Sequence, residues 1–472
     1  MPYVDIAQGS DFASLWYITN SPTGHVSSFD PDKPTVILLH PFFLDSTWLD
    51  TQFGDPRLNG DYNLIAFDQR AAGRTLSRPN GRQDAWTDAA DLAFACHALW
   101  LPPAHVWASE TTAANLGIRF AALFPHMVLS LTMLSVPSPT ELEAYFHTCD
   151  ELLHMWAHAE DLDTLEFALM QVIAYIAGPD VCTNLADEVI AHYETAYPPY
   201  KRHRLAQIGN VLMNREALTK RELAAIRQPC LLIHGDKNQI HPIQHAYNMV
   251  ADLVNAKGGA KLYTIKGGQG YISVVPTTAS VCNRVFLQFL SRLPDARSEL
   301  RPPRDPLEVY ISHGLEILAE LAGDPTIAER DPLSPMSFSR ISVAVQRLQV
   351  ENYMAAAKEA RRAFSPLGSD GRPMRMYSER KHDHWFQGDR CWMSYVENIP
   401  DAEEVPEHLP EQHVGGPTEG QIQPASEEVM RVSAQHRMAF NPGKVERMER
   451  IVGKSGIQKM TGAIPLVKLG PR

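Results

Sequence analysis

The chain has 472 residues and a formal net charge of −12, which argues against a general nucleic-acid or membrane-surface binder. No run approaches the roughly 18 apolar residues that span a bilayer, and the first residues lack the basic and apolar regions of a signal peptide. The six cysteines form no CxxC pair, so we expect no disulfide framework and a reducing, cytoplasmic location.

Short apolar runs bounded by turn residues indicate the strands of a mostly parallel sheet. The run Thr35–Leu39 lies between Pro34 and His40, the pattern of a strand that is buried on both faces. Helical patterns at Trp86–Trp100 and Thr112–Phe124 alternate with such runs, which implies right-handed crossover units and an α/β fold. The predicted strands are Leu15–Ile18, Thr35–Leu39, Asn63–Phe67, His105–Ala108, Leu129–Leu134, Cys230–His234 and Lys261–Ile265.

Residues 139–226 interrupt this alternation with a pattern that is almost wholly helical. Apolar residues such as Leu152, Trp156 and Leu165 recur there at helix-like spacing. Because the stretch lies between two predicted strands, we interpret it as a helical cap inserted above the sheet, with ordinary surface helices as the alternative. The α/β core is then formed by residues 1–138 and 227–298.

A helical extension is predicted after this core. The hinge Arg301–Pro306 contains three prolines and precedes two predicted helices. The first helix is Leu307–Leu321, and a longer amphipathic helix lies within Met336–Phe364. The extension therefore covers residues 299–364.

The remaining residues, 365–472, are predicted to form a disordered tail. Residues 397–428 hold nine acidic residues, five prolines and no Lys or Arg, so they bury too little apolar area to offset the entropy of ordering. Residues 431–472 hold nine Lys or Arg and two Glu. This last stretch is either a tail that binds a protein partner or a solvated segment that folds back on the acidic one.

Three segments carry the pattern of one known family. The turn His40–Phe43 follows a predicted strand, the loop Asp68–Thr75 follows the next strand, and Asn115–Pro125 has the pattern of a helix. In this order and spacing they resemble the α/β-hydrolase fold family over residues 15–293. The resemblance implies a mostly parallel sheet with an inserted helical cap. It also implies that N–H groups after His40 build half of an oxyanion hole.

The resemblance places the catalytic nucleophile on a tight turn between a strand and a helix. Fourteen residues before Pro125, this position is Thr111, within a segment Ser109–Ala113 that lacks both glycines of the Gly-x-Ser-x-Gly motif. Threonine is β-branched, suits a strained turn poorly and needs a base to become nucleophilic. A register shifted by two residues would make Ser109 the nucleophile but would spoil the match of the helix.

The acid and base positions that the resemblance implies are also substituted. The acid position after strand Cys230–His234 is Asn238, which cannot carry the charge that stabilises an imidazolium. The base position after the last strand is Gly270, so no imidazole is supplied there. The displaced candidates are Asp236 as acid and His241 as base, although turn and loop roles are commoner for both.

We expect a pocket beneath the cap that suits a small apolar molecule. Its predicted lining is His40, Phe42, Phe43, Trp48, Glu110, Thr112, Trp156 and Tyr271. No phosphate-loop, dinucleotide or metal-ligand spacing occurs, so we expect neither a cofactor nor a metal. Three functions stay open: binding or conversion of a small molecule without serine-hydrolase chemistry, ester or lactone hydrolysis by Thr111 or Ser109 with His241, and an interaction scaffold that works through its tail.

Overall fold

A nine-stranded sheet forms the centre of the protein in a computed structural model, which describes residues 2–7, 11–140, 143–179 and 181–380. The order across the sheet is β1-β2-β4-β3-β6-β7-β8-β9, with β5 paired to β2. All neighbours from β4 to β9 are parallel, while β1 and β2 run antiparallel at one edge. The strands are β1 (Tyr3–Ala7), β2 (Ala13–Thr19), β3 (Thr35–Leu39), β4 (Asn63–Phe67), β5 (Leu76–Ser77), β6 (Ala104–Ala108), β7 (Val128–Leu134), β8 (Cys230–Gly235) and β9 (Lys261–Ile265).

All seven strands predicted from the sequence are confirmed, and β1 and β5 are additions. Strand β3 explains why the apolar runs were informative, because every one of its residues is buried. Ile37 and Leu39 belong to the hydrophobic core on one face of the sheet, and Val36 and Leu38 belong to the core on the other face. A strand that is covered on both faces reads as a continuous apolar run rather than an alternating one.

Helices cover both faces of the sheet. Phe94 and Phe120 fill the core on the face covered by α3 and α4, and Leu58 and Phe286 fill the core under α2 and α11. The helices of this layer are α1 (Asp50–Phe53), α2 (Pro56–Asp61), α3 (Ala85–Ala98), α4 (Glu110–Leu123), α10 (Gln244–Asp252) and α11 (Pro276–Leu290). No helix in the described ranges is both long and apolar enough to cross a membrane.

The chain between β7 and β8 folds into the helices expected of an inserted cap. They are α5 (Glu143–Ala157), α6 (Leu162–Ala177), α7 (Thr183–Ala196), α8 (Arg202–Met213) and α9 (Lys220–Ala224). Arg204 of α8 fastens the cap to the core, because its Nε donates to Ala71 O at 3.1 Å and its Nη2 donates to Gly73 O at 3.0 Å. Both carbonyls belong to the loop after β4, where Ala71 and Gly73 have positive φ angles of 61° and 45°.

The extension contains α12 (Leu307–Ala322) and α13 (Val343–Glu359), which confirms both predicted helices. Described structure continues past the predicted boundary at residue 364, because Leu367 and Pro373 form an isolated β-bridge. Residues up to Tyr377 belong to one compact unit, and a second unit begins at Ser378. The predicted tail from residue 381 onward, with its acidic and basic segments, lies outside the described residues.

Candidate functional site

The turn between β6 and α4 carries the strained backbone of a nucleophile elbow. Glu110 has a φ of 48°, and Thr111 has φ 36° and ψ −99°, in a region that is unfavourable for a β-branched residue. Ser109 is extended, with φ −83°, and its buried Oγ accepts from Trp107 Nε1 at 2.8 Å. The positive φ angles lie at Glu110 and Thr111 and not at Ser109, so the backbone favours Thr111 over Ser109 as the elbow position.

The substituted positions meet at one cavity between the sheet and the cap. Its empty volume is about 620 Å³, a figure that includes space open to solvent. Thr111, Asn238 and Gly270 all line this cavity, although they come from three separate loops of the sequence. Of the other predicted residues, it is lined by Phe42, Phe43, Glu110, His241 and Tyr271. We call it the main cavity.

A second cavity of about 320 Å³, also counting open space, lies on the other side of Phe42 and Phe43. It is lined by His40 and Thr112, which the sequence placed in the same pocket as the triad positions. His40 is saturated with hydrogen bonds there, since its Nε2 accepts from Gln69 N at 3.1 Å and its Nδ1 contacts Pro41 O at 3.0 Å. The two phenylalanines thus divide the predicted pocket into two chambers.

The prediction that Trp156 and Trp48 line the pocket is wrong. Trp156 lies behind Phe43, with ring centroids 5.2 Å apart, and its Nε1 donates to Tyr197 O at 2.9 Å. Trp48 packs on the ring of His192 at 5.5 Å. Trp156 therefore supports the aromatic wall from behind Phe43, whereas Trp48 packs against α7 of the cap. Sequence spacing marks such residues as buried but does not tell which layer they occupy.

The predicted base position, Gly270, lies directly against the backbone of the cap. A Cβ atom added to Gly270 would overlap the carbonyl oxygen of Ile176, which lies in the last turn of α6. The contact is reciprocal, because a Cβ added to Gly178, just beyond α6, would overlap the side-chain amide of Gln269. Any side chain at residue 270, including an imidazole, therefore requires α6 to move.

Asn238, at the predicted acid position, stabilises a turn. Asn238 Oδ1 accepts from the backbone N–H of His241 at 2.9 Å, so the side chain closes the loop after β8. Asp236, the displaced acid candidate, is exposed and does not line the main cavity. Its Oδ1 accepts from Gly267 N at 2.6 Å and ties the loops after β8 and β9 together. Asp236 is thus a turn residue in this structure.

His241 lines the main cavity, but a hydrogen bond to its ring already occupies the nitrogen that could accept a proton. Nδ1 lies 3.2 Å from both the backbone N and the Oγ of Ser138, and the backbone N–H can only donate. The neutral ring therefore carries its proton on Nε2. Burial holds the pKa of His241 well below its usual range, with Arg215 adding to the effect. A neutral imidazole with its free nitrogen already occupied is not set to accept a proton from a nucleophile.

Thr111 lacks the hydrogen bond that would activate its hydroxyl. Its side chain lines the main cavity, and within the described ranges no hydrogen bond joins Oγ1 to any imidazole or carboxylate. In the helix that follows, Asn115 Nδ2 donates to Thr111 O at 3.1 Å, so this hydrogen bond involves the backbone and not the hydroxyl. A hydroxyl nucleophile without a base stays protonated and weak.

Tyr271 lines the main cavity next to Gly270. Its hydroxyl donates to Phe42 O at 2.5 Å and lies 3.1 Å from the hydroxyl of Tyr193 in α7. Burial, followed by Tyr193, raises the pKa of Tyr271 well above its usual range, so the phenol is neutral. Its φ of 47° shows that this position, next to Gly270, is held in a strained turn.

Among the residues that line the main cavity, Glu110 has a pKa that its environment brings near neutral pH. Its carboxylate is 2% exposed and accepts from Ser273 N at 3.0 Å and from Ser273 Oγ at 2.8 Å. Burial raises the pKa of Glu110 to about 7, and the two bonds from Ser273 oppose that rise. Ser273 escaped the sequence analysis because it lies three residues beyond the base position, where no motif marks it.

Comparison with known structures agrees with this architecture. An esterase from Thermogutta terrifontis is 14% identical, with 62% of this chain and 99% of the esterase covered at a TM-score of 0.50. An enol-lactonase from Burkholderia xenovorans LB400 is also 14% identical, with 61% and 100% covered at a TM-score of 0.49. A bromoperoxidase from Bacillus anthracis is 17% identical, with 61% and 99% covered at a TM-score of 0.48.

The chain has the α/β-hydrolase fold, as the sheet order, the inserted cap and the match to the Thermogutta esterase together show. At 14% identity the likeness is one of fold, and fold does not fix activity. No family model matches the sequence, and no curated protein matches it significantly. Within the described residues, no group of three or more His, Cys, Asp or Glu side chains is placed to hold a metal ion.

Proposed function

We propose that the protein binds a small apolar molecule in the main cavity, or converts it, without serine-hydrolase chemistry. The observation that carries this proposal is the contact between Gly270 and Ile176, which fills the place of a catalytic imidazole with the backbone of α6. Thr111 then stands at the elbow as a hydroxyl without a base. What remains is a chamber whose walls are largely aromatic and aliphatic.

The charge state of the cavity supports an apolar occupant. His241 and Tyr271 are neutral at pH 7, because burial moves the pKa of each group away from the range in which it would ionise. Glu110 is held by Ser273 and titrates near pH 7. A cavity with at most one partial charge does not compensate the desolvation of an ionic ligand, whereas it accepts apolar surface readily.

The proposal is tested by ligand-observed NMR with a panel of small esters, lactones and aromatic alcohols. Val172→Trp places a large ring into the main cavity from α6, and Val254→Trp adds the same ring at an exposed position. We expect binding of at least one apolar member to wild type and to Val254→Trp, and loss of that binding in Val172→Trp. Equal binding by both variants, or no binding by wild type, would overturn the proposal.

Hydrolysis of an ester or lactone by Thr111 with His241 is the second candidate, favoured by the fact that both residues line one cavity. It requires His241 to turn its ring away from Ser138, so that Nε2 becomes the acceptor. It predicts that His241→Ala abolishes ester turnover while the protein stays folded. Unchanged turnover in that variant eliminates this arrangement.

We also propose the cytoplasm as the location, on the strength of the scattered cysteines in the sequence. An interaction role for the basic segment 431–472 remains a separate proposal, since that segment lies outside the described residues. Deleting it should abolish capture of a protein partner and leave small-molecule binding intact. Capture that survives the deletion would rule the tail out as the binding element.

A further inference from the structure

The chain after the hydrolase-like core runs across the molecule as a strap, which we define as residues 307–377. Its first part is anchored on the core, because Ile311, Leu315 and Leu318 of α12 are fully buried in the core on the α3 and α4 face. A Cβ added to Gly314 would press on the ring of Phe124, so α12 lies directly on the end of α4. The first part of the strap is therefore packed into the hydrophobic core.

The middle of the strap crosses from the core to the cap. Arg340 Nη1 contacts Glu222 Oε1 of α9 at 2.8 Å, and Glu222 is almost completely buried. Helix α13 then packs along α8, where Asn210 Nδ2 donates to Tyr353 OH at 3.0 Å. At the end of α13, Glu359 lies 3.5 Å from Arg202 at the start of α8. The strap thus touches successive elements of the cap, while α13 also keeps contact with the core loop at Asn80 and Gly81.

The strap reaches α6 through Arg375. Its Nε donates to Glu166 Oε1 at 2.9 Å, and its Nη2 donates to Glu166 Oε2 at 2.5 Å and to Asp163 Oδ1 at 2.5 Å. Glu166 is 2% exposed, so removing the guanidinium would leave a charged carboxylate buried without this partner. A bidentate Arg–carboxylate pair also fixes geometry, because both groups are planar.

Glu194 of α7 is a third acidic residue near Arg375 and Glu166. Its carboxylate is fully buried, and within the described residues neither oxygen has a hydrogen-bond partner. Burial, followed by the charge of Glu166, raises the pKa of Glu194 to about 8, so this group is mostly protonated at neutral pH. Arg375 therefore faces two charged carboxylates, both on the first turns of α6, and one neutral carboxyl on α7.

Helix α6 also forms one wall of the main cavity. Val172, Tyr175 and Ile176 line the cavity, and the carbonyl of Ile176 rests on Gly270. We propose that the strap holds α6 in this closed position and that Arg375 is its positioning residue, so that release of Arg375 opens the main cavity to solvent. Helix α6 connects the two contacts. Arg375 of the strap binds its N-terminal turns, and its C-terminal turn covers Gly270.

Cys149 of α5 reports on this opening without any ligand. It lines the main cavity and is 5% exposed, whereas Cys96 of α3 and Cys230 of β8 are buried in the core and Cys182 is exposed. Labelling by N-ethylmaleimide, followed residue by residue by mass spectrometry, therefore separates opening of the cavity from unfolding of the core. Because it measures access alone, its outcome is independent of whether the proposed small-molecule function is correct.

The experiment compares the full-length chain with Arg375→Ala, Arg375→Lys and Arg372→Ala. Arg372 is an exposed arginine of the same segment, so its replacement makes the same charge change away from α6. We expect Cys149 to react at least tenfold faster in Arg375→Ala, at an intermediate rate in Arg375→Lys and at the wild-type rate in Arg372→Ala. Cys96 and Cys230 should keep their slow rates throughout.

The proposal is overturned if Cys149 reacts less than twofold faster in Arg375→Ala, or if Cys230 accelerates in parallel with it. Asp163→Asn removes one of the partners of Arg375 and is the variant to use if Arg375→Ala does not fold. It should raise the rate at Cys149 by a smaller factor and leave Cys230 unchanged. A wild-type rate at Cys149 in a folded Asp163→Asn protein then overturns the proposal.

Discussion

The two sides of the main cavity differ in what they keep of a hydrolase site. On the elbow side, Glu110 and Thr111 retain positive φ angles at the strand-to-helix turn. On the opposite side, Gly270 has no side chain and lies against Ile176. The elbow side therefore has the strained backbone expected of a nucleophile elbow, whereas at the predicted base position the backbone of the cap lies where a side chain would be.

The geometry of the two sides is therefore determined by different parts of the fold. The elbow geometry follows from joining β6 directly to α4, and β6 is paired on both sides within the sheet. The base side depends on α6, which belongs to the inserted cap and is held from outside by Arg375. A single substitution can thus replace the threonine hydroxyl at residue 111 by that of a serine, but a side chain at residue 270 requires the cap to move.

The largest effect is expected from Gly270→His, which restores the residue type that the family places there. The new side chain would overlap Ile176 O, and overpacking of this kind costs about 3 kcal/mol of unfolding free energy. Urea unfolding measures the loss. Gly60→His is the matched control, because Gly60 is exposed on α2 with no atom near its added Cβ. Equal stability of the two variants would show that α6 does not close the base position.

A smaller effect is expected from the carboxyl of Glu110. Because its folded pKa of about 7 lies above the ordinary value of about 4.3, wild type should lose stability as the pH rises from 5 to 8. Glu110→Gln removes this loss, so the stability of wild type relative to the variant should fall by on the order of 2 kcal/mol over that range. Denaturant titrations at several pH values check this, with the exposed Glu160→Gln as control. A pH-independent difference would contradict the burial of a titrating carboxyl at the elbow.

The smallest effect concerns strain at Thr111. Glycine accepts a φ of 36° without the penalty of a β-branched residue, so Thr111→Gly should relieve backbone strain of about 1 kcal/mol or more. Thr112→Gly, one residue on in the helix and equally buried, gains no such relief. We expect Thr111→Gly to be the more stable variant by thermal unfolding. The reverse order would argue against a strained elbow.

The sequence predicted the strands of the sheet well, because apolar runs are local signals, and the spacing from Pro125 led to the turn that has positive φ angles at Glu110 and Thr111. The resemblance to the hydrolase family predicted Gly270 at the base position, but the sequence could not show that Ile176, almost a hundred residues away, covers Gly270. The segment around Arg375 looked disordered for a related reason. Its composition is rich in Pro, Gly and charge, and the ion pairs that hold it are made with Glu166, far away in the chain.

Labelling with a fluorophosphonate probe tests most directly whether the site lacks a base. Wild type, Thr111→Ser and Thr111→Ala are compared at pH 7 to 8 with an ester panel run in parallel, since a serine at the elbow reacts in any site that still supplies a base. We predict that neither wild type nor Thr111→Ser is labelled above Thr111→Ala. Labelling or ester turnover that depends on residue 111 would contradict the account and would mean that His241 or another group acts as a base.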